Sequence, residues 1–354
     1  MYMKPKLVSL FSGCGGLDLG FKRAGFKTIW ANENDPTITP TFKANFKNVF
    51  LDTRSITDVD LDSVPDCDGI IGGPPCQSWS VAGNQKGLND PRGKLFETYI
   101  DFVATKRPKF FLAENVYGFL MKKHDNQHLL ERFAELGYNV TCVPLTSKIY
   151  SVPQDRKRVF IVGYPVSYEE HFYPPQPEPM VTLRDAIWNL RKGAVRALKT
   201  NKTNPRAQNN HEYMVGKFSS HYMSRNRVRS WDETSFTIQA SGRHAPCHPR
   251  APKFEYVEKD KMKFATKDSI YRRLTIRECA AIQTFPDSFK FVYNNLSDGY
   301  KMIGNAVPVN MAYFIAKKIK EDLHRLSNLP ASFGSKGEVK SFTLSNFLAK
   351  DLFG

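Results

Sequence analysis

Short apolar runs alternate with stretches of helical spacing along the first half of the chain. The runs contain few polar interruptions, which is typical of strands buried on both faces of a parallel sheet. After the first run, apolar residues recur at helical spacing over residues 17–24. The alternation predicts an α/β fold, with helices covering both faces of a parallel sheet. The predicted strands are residues 6–11, 28–31, 67–72, 110–114 and 158–163.

The pattern changes after a proline-rich segment at residues 174–179, which we interpret as a domain boundary. Residues 180–290 are rich in Arg, Asn, Ser and His and contain few long periodic segments. Helical spacing returns over residues 300–326 and predicts a helix that packs back onto the first domain.

Positive charge is concentrated in the second half of the chain. The 354 residues include 51 Lys and Arg against 35 Asp and Glu, a formal net charge of +16. Residues 1–150 hold 18 basic and 16 acidic side chains, whereas residues 151–354 hold 33 and 19. This asymmetry favours a nucleic acid partner, because each phosphate that is neutralised releases a counterion. A basic surface that only aids solubility is the alternative.

Composition excludes several classes of protein. A hydrophobic fraction of 41% and an aromatic fraction of 13% are too high for a disordered chain. No apolar run approaches the roughly 20 residues of a membrane span, and the first residues lack the apolar core of a signal peptide. The 6 dispersed cysteines do not form a disulfide framework. We therefore expect a cytoplasmic protein with reduced thiols. A monomer is a separate expectation that composition does not decide.

A glycine-rich turn, FSGCGG, follows the first predicted strand at residues 11–16. Glycine lets the backbone approach a ligand, and the N-terminus of the next helix favours an anionic group. Glu33 follows the second strand, where an acid suits a ribose diol. The spacing matches neither a dinucleotide turn nor a phosphate loop, so S-adenosylmethionine is the better candidate. A tight turn without a ligand is the alternative.

Cys76 lies in the sequence GGPPCQSWS at residues 72–80. The glycines and prolines predict a rigid, sharp turn just beyond a strand, which is where α/β sheets bind ligands. A buried structural cysteine is the alternative. The polar neighbours Gln77 and Ser78 favour an exposed nucleophile, which must be partly ionised in order to attack.

Three further ionisable residues could assist Cys76. Glu114 ends an apolar strand, where burial would raise its pKa and let it protonate a ring nitrogen. Arg156 and Arg158 lie two residues apart and would face the same side of a strand. The alternative for Glu114 is an acid that caps a helix, and the alternative for the two arginines is a run of charged residues in contact with solvent. Together these residues suit methylation of cytosine C5, in which a thiolate adds at C6 of a base flipped out of the duplex.

Six segments in this order resemble the cytosine-5 DNA methyltransferase family over nearly the whole chain. They are residues 11–16, 74–76, 114–116, 154–158, 272–286 and 304–308. The resemblance implies a Rossmann-like S-adenosylmethionine-dependent methyltransferase sheet with an inserted small, irregular β-rich DNA-recognition domain. The implied catalytic domain is 1–178 completed by 297–327, and the recognition domain with its hinge is 179–296. Residues 328–354 remain a tail without an assigned role.

The resemblance also implies roles for individual residues. Cys76 is the nucleophile, Glu114 contacts N3 of the cytosine, and Arg158 holds the base, while Arg156 belongs to the active-site network. No metal is implied. The S-adenosylmethionine site would be lined by Phe11, Gly13, Gly15, Gly16, Leu17, Glu33, Asp52, Pro74, Leu95, Asn305 and Val307.

The family's variable region, which decides the DNA sequence, corresponds to residues 180–270 here. It resembles the HaeIII-type branch of the family, which modifies GGCC in duplex DNA, at residues 211–213, 223–231 and 236–243. Arg225, Arg227 and Arg243 are candidate guanine readers, because arginine can bind O6 and N7 of guanine together. Contacts to phosphate are the alternative for each. The resemblance further implies functional pairing with a cognate restriction endonuclease.

Three other functions are weighed against this one. An RNA cytosine-5 methyltransferase is disfavoured by the large basic insert. A DNA-binding regulator without catalysis is disfavoured by the presence of Cys76, Glu114 and Arg158 together. A nicotinamide oxidoreductase is disfavoured by the glycine spacing.

Overall fold

The computed structural model describes residues 3–75, 93–121 and 123–343. Within these ranges an eight-stranded sheet has helices on both faces, so the predicted α/β fold class is confirmed. The strands are β1 (Lys6–Leu10), β2 (Lys27–Asn32), β3 (Phe50–Asp52), β4 (Gly69–Gly72), β5 (Phe110–Val116), β6 (Tyr138–Thr146), β7 (Gln154–Asp155), β8 (Lys157–Pro165), β9 (Val195–Arg196), β10 (Glu212–Tyr213), β11 (Ser235–Phe236), β12 (Glu255–Glu258), β13 (Lys261–Lys263) and β14 (Val339–Ser341). The α-helices are α1 (Gly16–Arg23), α2 (Thr39–Asn45), α3 (Gly93–Lys106), α4 (Lys123–Glu135), α5 (Leu183–Ile187), α6 (Ile276–Ile282), α7 (Leu296–Asn305) and α8 (Val309–Arg325).

The strand order across the large sheet is β14-β6-β8-β5-β4-β1-β2-β3. Neighbouring strands are parallel except at β8, which runs antiparallel to both β5 and β6. The prediction of a wholly parallel sheet is therefore wrong at β8. The connection at residues 147–156 is too short for the crossover helix that a parallel pair requires, so the chain turns back on itself.

Successive residues of the central strands fill separate cores on the two faces of the sheet. In β5, Phe111 stacks on Phe133 of α4 with ring centroids 4.2 Å apart. Its neighbour Phe110 packs on the other face against Phe21 of α1. This alternation follows from the two-residue repeat of a strand, and it packs both faces of the sheet against helices.

The helix predicted at residues 300–326 is two helices, α7 and α8. The break falls before Pro308, because a proline disfavours helical geometry in the residue that precedes it. The predicted packing of this segment on the first domain is confirmed, since α8 lies against α1 in the core. A Cβ atom at Gly20 would lie 2.4 Å from that of Ala312, so the glycine allows the two helices to approach closely.

Residues 166–295 form the short helices α5 and α6, several single helical turns, two-residue strands and the hairpin of β12 and β13. The predicted domain limits at 178 and 296 stay a prediction. The C-terminal segment that begins at residue 328, to which the sequence assigned no role, contributes β14. This strand pairs with β6 through Val339 and Val140. Among the described residues, no helix has the length and apolar character needed to cross a membrane.

Candidate active site

A cavity of about 550 Å³ opens at the ends of β1, β2, β4 and β5 and against the link between α7 and α8. Because carboxyl ends of parallel strands meet at one edge of a sheet, motifs distant in sequence converge there. The predicted site residues that line it are Phe11, Gly13, Gly16, Leu17, Glu33, Pro74, Leu95, Glu114, Arg158, Asn305 and Val307.

The glycine-rich turn positions Glu33. Gly13 and Gly15 have φ angles of 56° and 90°, which glycine adopts without steric cost. The N–H of Gly13 donates to Oε2 of Glu33 at 2.9 Å, and the N–H of Asp35 donates to Oε1 at 2.9 Å. Burial raises the pKa of Glu33, while these hydrogen bonds oppose the rise. The carboxylate is thereby fixed at the cavity before any ligand binds.

Phe11 carries backbone strain in the same turn. Its φ is 53°, in the left-handed region that a bulky side chain rarely adopts. Strained residues persist where the surrounding structure holds them, and they cluster at functional sites. The position of Phe11 at the cavity lining therefore supports a binding role for the turn.

Asp18 is a buried acid of the cavity that sequence reasoning missed. Its Oδ2 accepts a hydrogen bond from Ser9 Oγ at 3.1 Å, and its Oδ1 accepts one from Thr28 Oγ1 at 3.2 Å. Burial raises its pKa to about 6. The only sequence signal was an acid in the first turn of a helix, which ordinarily indicates a favourable helix dipole.

Glu114 and Arg158, which also line the cavity, form an ion pair. Arg158 Nε lies 2.9 Å from Glu114 Oε1, and both side chains are largely buried. Burial raises the pKa of Glu114, whereas Arg158 and then Arg156 oppose the rise. The site thus holds a carboxyl group that is easier to protonate than an exposed glutamate, beside a cation.

Pro74 and Pro75 bring the chain next to this pair. Asn115 Nδ2 donates to the carbonyl of Pro74 at 3.3 Å, which ties the turn to β5. A Cβ atom at Gly73 would lie 3.4 Å from Glu114 Oε2, so this turn runs directly beside the carboxylate. Cys76, the predicted nucleophile, lies outside the described residues.

Three of the described residues predicted for catalysis or cofactor binding do not line the cavity. Gly15 caps α1, and a Cβ atom there would overlap the ring of Phe46 at 2.2 Å. The carboxylate of Asp52 is held by Arg54, with Oδ2 2.6 Å from Nη2, and this hydrogen bond lowers the pKa of Asp52. Arg156 is buried behind the cavity. The ligand-binding and catalytic roles assigned to them stay predictions.

The candidate guanine readers differ in exposure. Arg225 and Arg243 are exposed. Arg227 is only 6% exposed, and its Nε and Nη2 donate to the carbonyls of Tyr222 at 3.0 Å and His221 at 3.3 Å. The guanidinium of Arg227 therefore braces its own loop in this structure, and its role in reading DNA stays a prediction.

Sequence reasoning also missed Lys301 at the cavity. This residue of α7 lines it and pairs with Asp35, joining the loop after β2 to the C-terminal half of the chain. A single lysine within a predicted helix does not indicate a functional site in the sequence. Within residues 3–75, 93–121 and 123–343, His, Cys, Asp and Glu form no group of three that could hold a metal ion.

Comparison with known proteins agrees with this architecture. The model of the C-5 cytosine-specific DNA methylase family matches residues 5–321. The Type II methyltransferase M.NgoPII of Neisseria gonorrhoeae is 52% identical over 333 residues, which cover 92% of this chain and 98% of that protein. M.MthTI of Methanothermobacter thermautotrophicus is also 52% identical, over 92% of this chain and 100% of its own length.

The fold has a match among solved structures. An Escherichia coli prophage protein described as a DNA modification methyltransferase superposes with a TM-score of 0.69 at 22% identity, covering 91% of this chain and 100% of that one. Since the family model spans most of the chain and the curated relatives align almost end to end, this protein is a member of the C-5 cytosine-specific DNA methylase family.

Proposed function

We propose that this protein is a Type II modification methyltransferase that transfers a methyl group from S-adenosylmethionine to C5 of a cytosine within GGCC in duplex DNA. The reaction would proceed through a covalent bond between Cys76 and C6 of a flipped cytosine. It would protect DNA from a cognate restriction endonuclease, with the protein acting as a monomer. Type II methyltransferases among its relatives support this assignment.

The observation that carries the proposal is that one cavity contains both halves of the required chemistry. The glycine-rich turn and Glu33 line one part of it, and Glu114 with Arg158 lines another. A donor and an acceptor must lie next to each other for direct methyl transfer. The cavity therefore supports transfer between two ligands held by different strand ends.

The residues of the turn fit S-adenosylmethionine. A Cβ atom at Gly13 would meet nothing within 4 Å, so the backbone faces open space that an adenosine-bearing ligand can use. Glu33 offers a fixed carboxylate for two hydroxyl groups. When bound, the sulfonium supplies an electrophilic methyl group. Phe11, Leu95 and Val307 would provide apolar contacts, and Asn305 a polar one.

The chain's own residues would make cytosine C5 reactive. The Cys76 thiolate forms a bond to C6 while Glu114 gives a proton to N3, which leaves C5 electron-rich. Arg158 holds Glu114 and the base in place. After methylation, C5 loses its proton to a base, the C6–sulfur bond breaks, and the proton on N3 returns to Glu114. The thiolate is regenerated.

Bisulfite sequencing tests the specificity. Duplex DNA incubated with the protein and S-adenosylmethionine should be protected at GGCC, and protection confined to another motif would refute the GGCC assignment. Arg225 and Arg243 are the proposed readers because they are exposed.

A duplex with 5-fluorocytosine at the target tests the covalent step. Fluorine cannot leave C5 as a cation, so wild-type protein and the donor should give a denaturant-stable protein–DNA adduct. Cys76→Ser should give no adduct and lose turnover by about 10³-fold or more. Cys67→Ser is the matched control and should still give the adduct, since Cys67 does not line the cavity. Methylation by wild type without any adduct would overturn the mechanism.

A further inference from the structure

We propose that Gln154, Arg156 and Gln283 form a buried hub between two parts of the molecule. One is the cavity of the candidate active site, called the donor cavity from here on because it is proposed to hold the methyl donor; the other is the recognition segment at residues 237–243. Through this hub, binding of the donor or its product strengthens binding of the target duplex. The inference rests on the proposed function and adds positioning residues to it. The two glutamines are 0% exposed and Arg156 is 1% exposed.

Gln154 connects the hub to the recognition segment. Its Oε1 accepts a hydrogen bond from the N–H of Ile238 at 2.7 Å, and its Nε2 donates to Gln283 Oε1 at 2.7 Å. Next to it, Thr237 Oγ1 donates to the carbonyl of Asp155 at 2.6 Å. The start of the recognition segment is therefore bound to the edge of β7.

Gln283 connects the hub to the donor cavity. Its Nε2 donates to the carbonyl of Ile303 at 2.8 Å and to that of Ala306 at 3.1 Å. Ala306 lies between Asn305 and Val307, and all three line the cavity. Both N–H groups and the oxygen of this amide are thus engaged, so its orientation is fixed.

The guanidinium group of Arg156 contacts both the recognition segment and the lining of the donor cavity. Nη1 donates to the carbonyl of Ile238 at 3.1 Å, and Nη2 donates to that of Ala306 at 3.1 Å. The group is planar and rigid, so a shift of either carbonyl breaks a hydrogen bond inside a buried site. Such losses are costly because no water replaces the missing partner.

Backbone packing joins the same two segments. A Cβ atom at Gly304 would lie 2.3 Å from the carbonyl carbon and oxygen of Gln239 and 2.4 Å from the nitrogen of Ala240. The end of α7 is therefore pressed against the recognition segment, which continues to the exposed Arg243. A ligand that fixes residues 305–307 would also fix residues 238–240, and linkage makes the effect reciprocal.

The test measures duplex binding by fluorescence anisotropy with and without saturating S-adenosylhomocysteine. The duplex carries the motif that the methylation map identifies, so the hub is tested whether or not that motif is GGCC. Wild type should bind the duplex about 5–150-fold more tightly with S-adenosylhomocysteine present. The ratio of interest is the dissociation constant of the duplex without S-adenosylhomocysteine divided by that with it. Gln283→Met and Gln154→Met should reduce this ratio to nearly one, while the duplex and S-adenosylhomocysteine each still bind when the other is absent.

Two further variants complete the experiment. Asn45→Leu removes another amide that bridges distant segments, since Asn45 Nδ2 donates to the carbonyls of Thr41 at 2.7 Å and Lys290 at 2.8 Å. This control should keep the wild-type ratio. Gly304→Ala perturbs the contact between α7 and the recognition segment while leaving Gln154 and Gln283 in place, and it should reduce the ratio. An unchanged ratio in folded Gln283→Met and Gly304→Ala, or a wild-type ratio of one with intact methylation, would overturn the hub.

Discussion

Replacing Asp18 by Asn should stabilise the protein at neutral pH. The carboxylate is fully buried, and its partners are the neutral hydroxyls of Ser9 and Thr28. Burial raises its pKa from 3.8 to about 6 in the folded state. Folding therefore favours the protonated acid, and the ionised acid opposes folding. Asparagine has the same shape, carries no charge, and can hydrogen-bond to both hydroxyls.

The magnitude follows from the two pKa values. Each pH unit between them corresponds to about 1.36 kcal/mol, so the fully ionised Asp18 costs about 3 kcal/mol of folding free energy. The cost is absent below the unfolded pKa, grows as the pH rises from 3.8, and is complete above about 6. Between about pH 5 and about pH 7.5 it increases by roughly 1.4 kcal/mol.

Urea unfolding at these two pH values measures the effect. The variant Asp18→Asn should exceed wild type in unfolding free energy by about 3 kcal/mol at the higher pH and by about half of that at the lower one. A gain that is absent at the higher pH, or equal at both, would refute the argument that buried ionisation destabilises the fold.

Asp52→Asn is the matched control with the opposite sign. The hydrogen bond from Arg54 lowers the pKa of Asp52, so its ionised form stabilises the fold above the unfolded pKa and loses that contribution as the pH falls through the folded value. Asp52→Asn should therefore be less stable than wild type near neutral pH. A shared gain in both variants would indicate a general charge effect instead.

Three further variants address the proposed reaction. Glu114→Gln should lower the single-turnover methylation rate by about 10²–10⁴-fold while duplex binding persists, and a rate within twofold of wild type would exclude proton transfer by this residue. Gly16→Ala should weaken S-adenosylmethionine binding in calorimetry by at least about tenfold, because the new Cβ would lie 2.6 Å from the carbonyl of Val307; unchanged affinity would contradict it. Arg243→Ala should reduce discrimination between GGCC and a mismatched duplex by about 1–3 kcal/mol, and an equal loss for both duplexes would indicate a phosphate contact.

Strands with uninterrupted apolar sequence could be predicted to within a few residues. β4 and residues 110–113 of β5 are examples, because they are buried on both faces and carry no polar side chain. β6 was missed because Asn139, Thr141 and Pro144 interrupt its pattern. The direction of β8 follows from the short connection between β6 and β8. Because β6 was not predicted, the length of that connection was not known from the sequence.

The candidate site was predictable where a motif fixes both residue type and local geometry. Glu33 and Glu114 each follow or end a strand, so their arrival at the cavity could be inferred. Arg156 could not be located in this way, because its partners are carbonyls 82 and 150 residues away in the chain. Arg227 likewise looked like its exposed neighbour Arg225, and only burial distinguishes the two.

The donor cavity takes one wall from residues 9–17 and another from residues 301–307. A ribosome adding about 5–20 residues per second needs roughly 15–60 s to produce the second wall after the first. During that interval the nascent chain has only part of the surface that would retain the methyl donor. Under the proposed function, each newly made molecule therefore completes its donor site only after residues 301–307 have been synthesised, whatever the concentration of donor around it.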